Sequence, residues 1–354
     1  MSMISRLMLA VCAVCLASGA MGRAGDGALD IILSPHNGQP ALVRPGAAFE
    51  AVLTKQTPLK LAGEDGTMTV AVEWEARPDG RYVATCHLPD EIAPGVYALE
   101  AEREGEDERD RNERALHVKE SFPEVYLVAH IADPVVGDGG DLEESLGLFE
   151  EIAAEIDEAN ADLVLITGEL TANDTAEEYS AFLDALEALS MPTFVCPAAT
   201  EESVRYFGPT PFAFWYGEDA YLGFDGTADG LAPPWEPAES LHYRLRREIK
   251  PARWAIGFAN RYSQDFPMHS QISLFVDDPL DLLITGPWEI ELVDEEGEEA
   301  EPALPWGRTP LAITPPASEG DYRFVQVSSS EARPRAPESV IDNENNESEE
   351  DGAS

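Results

Sequence analysis

The spacing of apolar residues changes character once along this chain, near residue 122. Before that point the apolar positions come in short, often alternating runs: LDIILS, ALVR, AFEAVLT, MTVAVEWEA, RYVATCHL, GVYALEAE and RALHVKE. These runs are rich in β-branched and aromatic residues, and a period of two marks a half-buried strand. Turn-forming clusters separate them: Pro35-His36-Asn37-Gly38, Pro45-Gly46, Pro78-Asp79-Gly80 and Pro94-Gly95. After residue 124 the runs are continuous and alternate with helical patterns. VYLVAHIAD reads as a buried strand, and Leu142, Leu146, Phe149, Ile152 and Ile156 lie on one face of a helix begun by Asp141 and Glu144 at capping-box spacing. LVLITG is a second buried strand. A second helix follows, with Thr175 and Glu178 as its capping box and Tyr179, Phe182, Leu183, Leu186 and Leu189 as its buried face.

About seven strands in about ninety residues predict an all-β, immunoglobulin-like sandwich over 28–120. The charged run Glu100 to Arg114 interrupts its last two strands and predicts a solvated hairpin tip or loop. Strand, helix, strand from Val125 to Leu170 is a β-α-β unit, and open α/β sheets hold ligands at the carboxyl ends of such strands. The pattern continues with TFVC, an aromatic pair of strands ending at Asp225, a helix around Leu241, Leu245 and Ile249, strands at Trp254–Phe258 and Asp281–Thr285, and further strands near 290 and over 322–327. Gln271 to Val276 fits either a strand or the end of a helix. A second domain therefore spans 124–328. Seven of the eleven residues from Glu291 to Glu301 are acidic, which predicts a solvated hairpin, and 329–354 reads as an acidic disordered tail.

In the first 24 residues one arginine, Arg6, precedes an apolar run from Leu7 to Leu16, and small residues follow. This is the form of a secretory signal peptide cut between Ala20 and Ala24, and the run is short for a membrane span. A lipid-attachment reading of Cys12 or Cys15 is disfavoured by the valine before each. The chain is thus expected to be exported, to a periplasm or the cell exterior. Export leaves Cys86 and Cys196, one in each domain; an exported protein could pair them, and they are read as small buried side chains. The 354 residues carry a net charge of -45, and the lysines number four: Lys55, Lys60, Lys119 and Lys250. Such a surface repels nucleic acid and anionic lipid, so neither is expected as a partner, and no later stretch is apolar enough to cross a bilayer. It also predicts stabilisation by salt, because screening relieves self-repulsion. The melting temperature should rise as salt is added, and a flat titration would remove that expectation.

The stretch HIADPV, then ADLVLITGELTAND, resembles the opening of the calcineurin-like metallophosphoesterases, which read HISDxH and ADLVLITGDLTDN. The likeness covers about 200 residues of the chain and implies a four-layer αββα sandwich of two mixed sheets. Active members hold two metal ions on Asp, His and Asn side chains from five loops, and the ions activate a bridging water for attack on phosphorus. The resemblance places those loops at Asp133 to Val135, Gly168-Glu169, Ala198 to Glu201, Ala259 to Tyr262, and Gly286 to Glu289. Asp133 is kept. The histidine of Asp-x-His is Val135, the bridging aspartate is Glu169, Gly-Asn-His is Ala198-Ala199-Thr200, and Gly-His-x-His is Gly286-Pro287-Trp288-Glu289. The fourth loop has no histidine, and Arg261 is read there as a surface ion pair. His130 is read as a structural histidine, as are His36, His87 and His117 in the first domain.

What this implies is a phosphoesterase-like chain without catalytic residues, acting as a binding or structural module for an unidentified partner. The competing implication is a phosphohydrolase with an altered or single-metal site. Asp133, Glu169, Glu201 and Glu289 would form that site from oxygen donors alone, suited to one divalent cation, Ca2+, Mg2+ or Mn2+. Otherwise no cofactor is expected. Trp215, Trp235, Trp288 and Trp306 are candidates for an aromatic contact surface along the cleft.

Overall fold

The computed structural model describes residues 27–64, 66–102, 109–227, 238–263, 266–287, 304 and 309–341. The signal-peptide reading, the acidic stretch 291–301 and the last thirteen residues of the tail lie outside them. Nine strands come first among the described residues: β1 (Ile32–Ser34), β2 (Ala41–Val43), β3 (Ala48–Leu53), β4 (Leu59–Gly63), β5 (Gly66–Thr69), β6 (Ala71–Ala76), β7 (Tyr82–His87), β8 (Gly95–Glu102) and β9 (Arg109–Val118). They make two sheets, ordered β1-β3-β7-β6 and β2-β9-β8-β4-β5. Leu53, Leu61, Cys86, Leu99, Ala101 and Leu116 share the core that both sheets contribute to.

Two sequence expectations change here. MTVAVEWEA is not one strand, because the chain crosses from one sheet to the other at buried Val70 and so divides it into β5 and β6. Leu59 and Leu61 form the extra strand β4, burying on either side of Lys60. The charged run is also less of a loop than expected. β8 continues to Glu102 and β9 begins at Arg109, with residues 103–108 outside the description. Its polar side chains have work within the sheet. Asp110 accepts from the Ile31 and Ile32 amides at 2.9 and 2.7 Å, Asn112 donates to Ile32 O and Pro35 O, and Arg109 and Arg111 both pair with Glu100.

The second half continues with β10 (Tyr126–Ala132), α1 (Leu142–Glu158), β11 (Leu163–Gly168), α2 (Ala176–Ala185), β12 (Thr193–Pro197), α3 (Glu201–Phe207), β13 (Phe212–Tyr216), β14 (Asp219–Gly226) and α4 (Ala238–Glu248). Then come β15 (Ala255–Tyr262), α5 (Met268–Gln271), β16 (Leu282–Thr285), β17 (Leu311–Ile313), β18 (Asp321–Val327) and β19 (Ala332–Ser339). The ambiguous segment Ile272–Val276 is a π-helical turn that extends α5. Both helix starts read from sequence are present: Asp141 accepts from the Glu144 amide, and Thr175 with Glu178 closes a full capping box.

These elements make two mixed sheets, β12-β11-β10-β18-β19 and β13-β14-β15-β16-β17. Val128, Leu165, Phe194, Phe214, Tyr221, Phe258 and Ile284 pack between them, with the rings of Phe194 and Phe214 stacked at 3.4 Å. α1, α2 and α3 cover the outer face of the first sheet, where Phe149, Ile152, Ile156 and Phe182 are buried. α4 and α5 cover the second, over Leu222, Phe224, Leu241, Leu245 and Leu274. The four layers follow from strands that bury both faces, as continuous apolar runs require. A fully buried side chain of this size contributes about 2–3 kcal/mol.

The tail begins later than the composition suggests. Residues 332–339 form β19 along β18, and Val340 is buried. Pro334 and Pro337 are tolerated because β19 is an edge strand, where a missing amide breaks no ladder on the solvent side. Residues 38, 39 and 114, from the part of the chain that carries β1 to β9, meet the opposite edge. Gly38 bridges Phe194 on β12, and its carbonyl accepts from the Val195 amide at 2.7 Å. Gln39 Nε2 donates to Phe207 O at 2.8 Å, and Arg114 to Met191 O at 2.9 Å. Among the described residues, no helix is long and apolar enough to cross a membrane.

Candidate functional site

Strand alternation decides which side chains meet at the carboxyl ends of the two sheets. In β14, Tyr221 faces the inner core while Leu222 and Phe224 face outward, so Asp225 points inward. The same count in β15, from Ile256 and Phe258, turns Asn260 inward, and in β10, from Tyr126 and Val128, it turns His130 inward. A polar layer thus caps the apolar inter-sheet core. Asp225 Oδ1 accepts from Asn260 Nδ2 and from the Thr227 amide, both at 2.9 Å, and Oδ2 accepts from the Ala199 amide at 3.2 Å. Asn260 Oδ1 accepts from the Gly226 and Arg261 amides at 3.0 and 2.7 Å. Because Ala199 follows β12 while Asn260 lies two residues before the end of β15, this carboxylate joins one sheet to the other.

His130 is buried with both ring nitrogens engaged, Nδ1 with Thr314 Oγ1 at 2.6 Å and Nε2 with Thr167 Oγ1 at 2.9 Å. Burial, helped by the Arg323 charge, lowers its pKa to about 3, so the ring is neutral. Cys196 lies in the same core, and burial with the Asp225 charge pushes its thiol well above the usual range. Cys86 is likewise a free, buried thiol, pushed up to about 12 by burial. Neither is a nucleophile at neutral pH.

Asp133 sits in the left-handed region at φ 45°, and its Oδ1 accepts from the Glu169 amide at 2.7 Å. A Cβ on Gly168 would strike that oxygen, and one on Gly286 would stand 3.1 Å from Oδ2 and 2.5 Å from Asn260 O. The two glycines therefore leave room for this carboxylate between the sheets. Glu169 is exposed. Glu201 is also exposed, at the first position of α3 behind the Thr200 cap, whose hydroxyl accepts from the Ser203 amide at 3.0 Å. Glu289 and Trp288 lie outside the described residues. Among those described, no three His, Cys, Asp or Glu side chains are grouped so as to hold a metal ion.

Val135 has φ 43°. A β-branched residue pays roughly 1–2 kcal/mol for that conformation. Its amide donates to Glu169 O at 3.0 Å and that of Val136 to Leu170 O at 2.9 Å, which holds the loop after β10 against the loop after β11. The donor set does not fit a two-metal centre. Val135, Ala199 and Pro287 offer no side-chain donor, the Asn260 side chain is engaged with Asp225 and two amides, and Asp133 already accepts from an amide.

Asp225 and Asn260 are the central polar residues here, and motif reading passed over their pairing. The usable signal was register: GFDG and GFAN end neighbouring parallel strands with a polar residue on the same face. Trp215 is not at this end. It pairs with Ala220 near the start of β14, half-buried against the outer core. Trp235 and Trp306 lie outside the described residues.

A second polar cluster closes the opposite end of the inner core. Asp219 is fully buried and accepts from Arg253 Nε and Nη2 at 2.8 and 2.6 Å, from the Tyr126 hydroxyl at 2.9 Å and from the Trp254 amide at 3.2 Å. Tyr126 and Tyr221 share a hydroxyl contact at 2.8 Å. Lys119, just after β9, donates to the Tyr216 hydroxyl at 3.2 Å.

No protein-family profile matches the chain, and no curated protein matches it. Among solved structures it is similar to a purple acid phosphatase isolated from yellow lupin (Lupinus luteus) seeds, with a TM-score of 0.47 and 11% identity over 87% of this chain and 73% of that one. It is also similar to the amylomaltase of Corynebacterium glutamicum, with a TM-score of 0.18 and 14% identity over 39% of this chain and 23% of that one. A third is the E. coli alpha-2-macroglobulin, with a TM-score of 0.20 and 19% identity over 35% of this chain and 8% of that one.

Proposed function

We propose that this chain is an exported, metallophosphoesterase-like protein that has given up catalysis and serves as a binding or structural component. Its first domain, over about 28–120, is taken as an immunoglobulin-like module, and 124 onward as the phosphoesterase-like domain. The framework HIADPV and ADLVLITGELTAND, set on the strand ends of a four-layer αββα arrangement, supports the family reading. The observation that carries the loss of activity is the closed polar layer. Asp225 and Asn260 satisfy each other and the loop amides, and His130 is engaged by Thr167 and Thr314, while the positions that would supply imidazole or amide donors are Val135, Ala199 and Pro287.

The test is metal content and turnover on one sample. The mature chain is dialysed against Mn2+, Zn2+, Mg2+ and Ca2+, bound metal is measured by mass spectrometry, and an aryl phosphomonoester and a diester are assayed in parallel. The expected result is no stoichiometric transition metal and no turnover. Two transition metals per chain with turnover would overturn the proposal. One hard cation without turnover would point to the carboxylates Asp133, Glu169, Glu201 and Glu289. Placing histidine at Val135, Thr200 and Pro287 together is expected to leave turnover absent, because Asp225 and Asn260 still join the sheets.

A further inference from the structure

The first domain has two open sheet edges side by side. β5 ends one sheet and β6 ends the other, and Val70 alone joins them, its amide donating to Leu59 O at 3.1 Å. Between them lies a groove of about 360 Å3, lined by Pro58, Leu59, Val70, Val72 and Trp74 among others. Trp74 is half-buried at its mouth.

β6 pairs with β7 and with no other strand among the described residues. The Arg77 amide donates to Arg81 O at 2.8 Å, which sets the phase of that ladder. Antiparallel bonding alternates, so the backbone groups of Val72, Trp74 and Ala76 point away from β7. Side chains alternate as well. Val72 and Trp74 face the groove, while Glu73 and Glu75 stand exposed on the other face, the Glu73 side chain being 81% exposed. The free edge therefore offers a row of main-chain donors and acceptors, an apolar trough on one side and carboxylates on the other.

We propose that this edge docks an extended segment of a partner protein that alternates apolar and basic residues. The segment adds to β6 as a further strand. Its apolar side chains enter the groove against Trp74, and its lysines or arginines lie along Glu73 and Glu75, so main-chain bonding supplies affinity and alternate side chains supply selectivity. Charge decides the occupant. A chain of net charge -45 draws cationic partners from a distance and repels a second copy of itself, whose own edge carries the same two glutamates. The inference stands on the first domain alone and does not depend on what the phosphoesterase-like half does.

The probe is a fluorescein-labelled peptide of alternating lysine and valine, titrated with the full chain and followed by anisotropy at low ionic strength. Saturable one-to-one binding is expected. Trp74→Ala is expected to weaken it about tenfold or more, as truncation of an aromatic anchor does. Glu73→Lys with Glu75→Lys should weaken it comparably, and more so at low salt than at high salt. A peptide methylated on alternate backbone nitrogens, which cannot complete a ladder, should not bind. That last arm uses the unaltered chain and decides the matter if a variant fails to fold. Equal binding of the methylated peptide, or by Trp74→Ala, would overturn the proposal in favour of diffuse attraction to an acidic surface. No saturable binding up to about 1 mM, where affinity is only about 4 kcal/mol, would also overturn it and leave Glu73 and Glu75 as guards against strand addition.

Discussion

Lowering the pH from 7 to 5 should remove roughly 8 kcal/mol of folding stability, enough to unfold a protein of ordinary stability. Four histidines cause this. His36 is held at about 4, and His117, His130 and His242 at about 3, chiefly by burial in each case. In the unfolded chain they would titrate near 6.5. The sign follows from proton counts. A group whose folded pKa is depressed binds fewer protons folded than unfolded once the pH falls below 6.5. Its stability contribution is complete above that value and is lost on the way down to the folded pKa. At pH 5 each histidine forfeits about 2 kcal/mol, since one pKa unit is worth about 1.4 kcal/mol. Ordinary carboxylates titrate mostly below pH 5, so relief of the negative charge comes too late to compensate. Urea unfolding at a series of pH values measures the slope, which should approach four protons below pH 6. His242→Phe should reduce that slope by about one, because the ring already packs edge-on against Phe224 and Phe266 and its Nε2 has no partner among the described residues. A flat profile between pH 7 and 5 would mean that these side chains are not buried and neutral.

Asp219→Ala should cost about 3–5 kcal/mol, the usual range for breaking a buried ion pair from one side. The carboxylate answers Arg253 through two bonds and also holds the Tyr126 hydroxyl and the Trp254 amide. Removing it leaves a guanidinium, a phenol and an amide to find water or strain at the end of the inter-sheet core. Asp219→Asn keeps the shape and part of the bonding, so it should cost less. The comparison separates charge from packing. If Asp219→Ala were within about 0.5 kcal/mol of the parent, as at an ordinary surface position, the Asp219–Arg253 pair would not be structural.

The fold was legible where periodicity and caps agreed. Thr175 with Glu178 announced α2 because the capping box is local, and the runs ending at Asp133 and Gly168 announced parallel strands because they bury both faces. β4 was missed because its two buried leucines flank a lysine and lack β-branching. The single apolar run that became β5 and β6 was misread because nothing in its pattern marks the change of sheet. β19 was hidden by composition, since Arg, Pro and Glu resemble a disordered tail until an edge partner is present. In the candidate site, family likeness drew attention to the strand ends and to Asp133. It did not point to the Asp225–Asn260 pair, because their meeting depends on the register between β14 and β15 and not on any neighbour in sequence. It also implied no strain at Val135, which only the backbone reveals.

The place of β18 bears on how the chain can be made. β10 is the earliest strand of its sheet in the chain, yet one of its two neighbours there is β18, and Gln326 reaches back to the Tyr126 carbonyl across 200 positions. Closing a loop of that length is slow, and the sheet lacks a central pairing until residues 321–327 have been made. Up to that moment β10 carries an apolar open edge, and a product truncated before residue 321 would retain it permanently. The sheet β12-β11-β10-β18-β19 is therefore completed only once β18 has been made, and the edge of β10 is covered at that point.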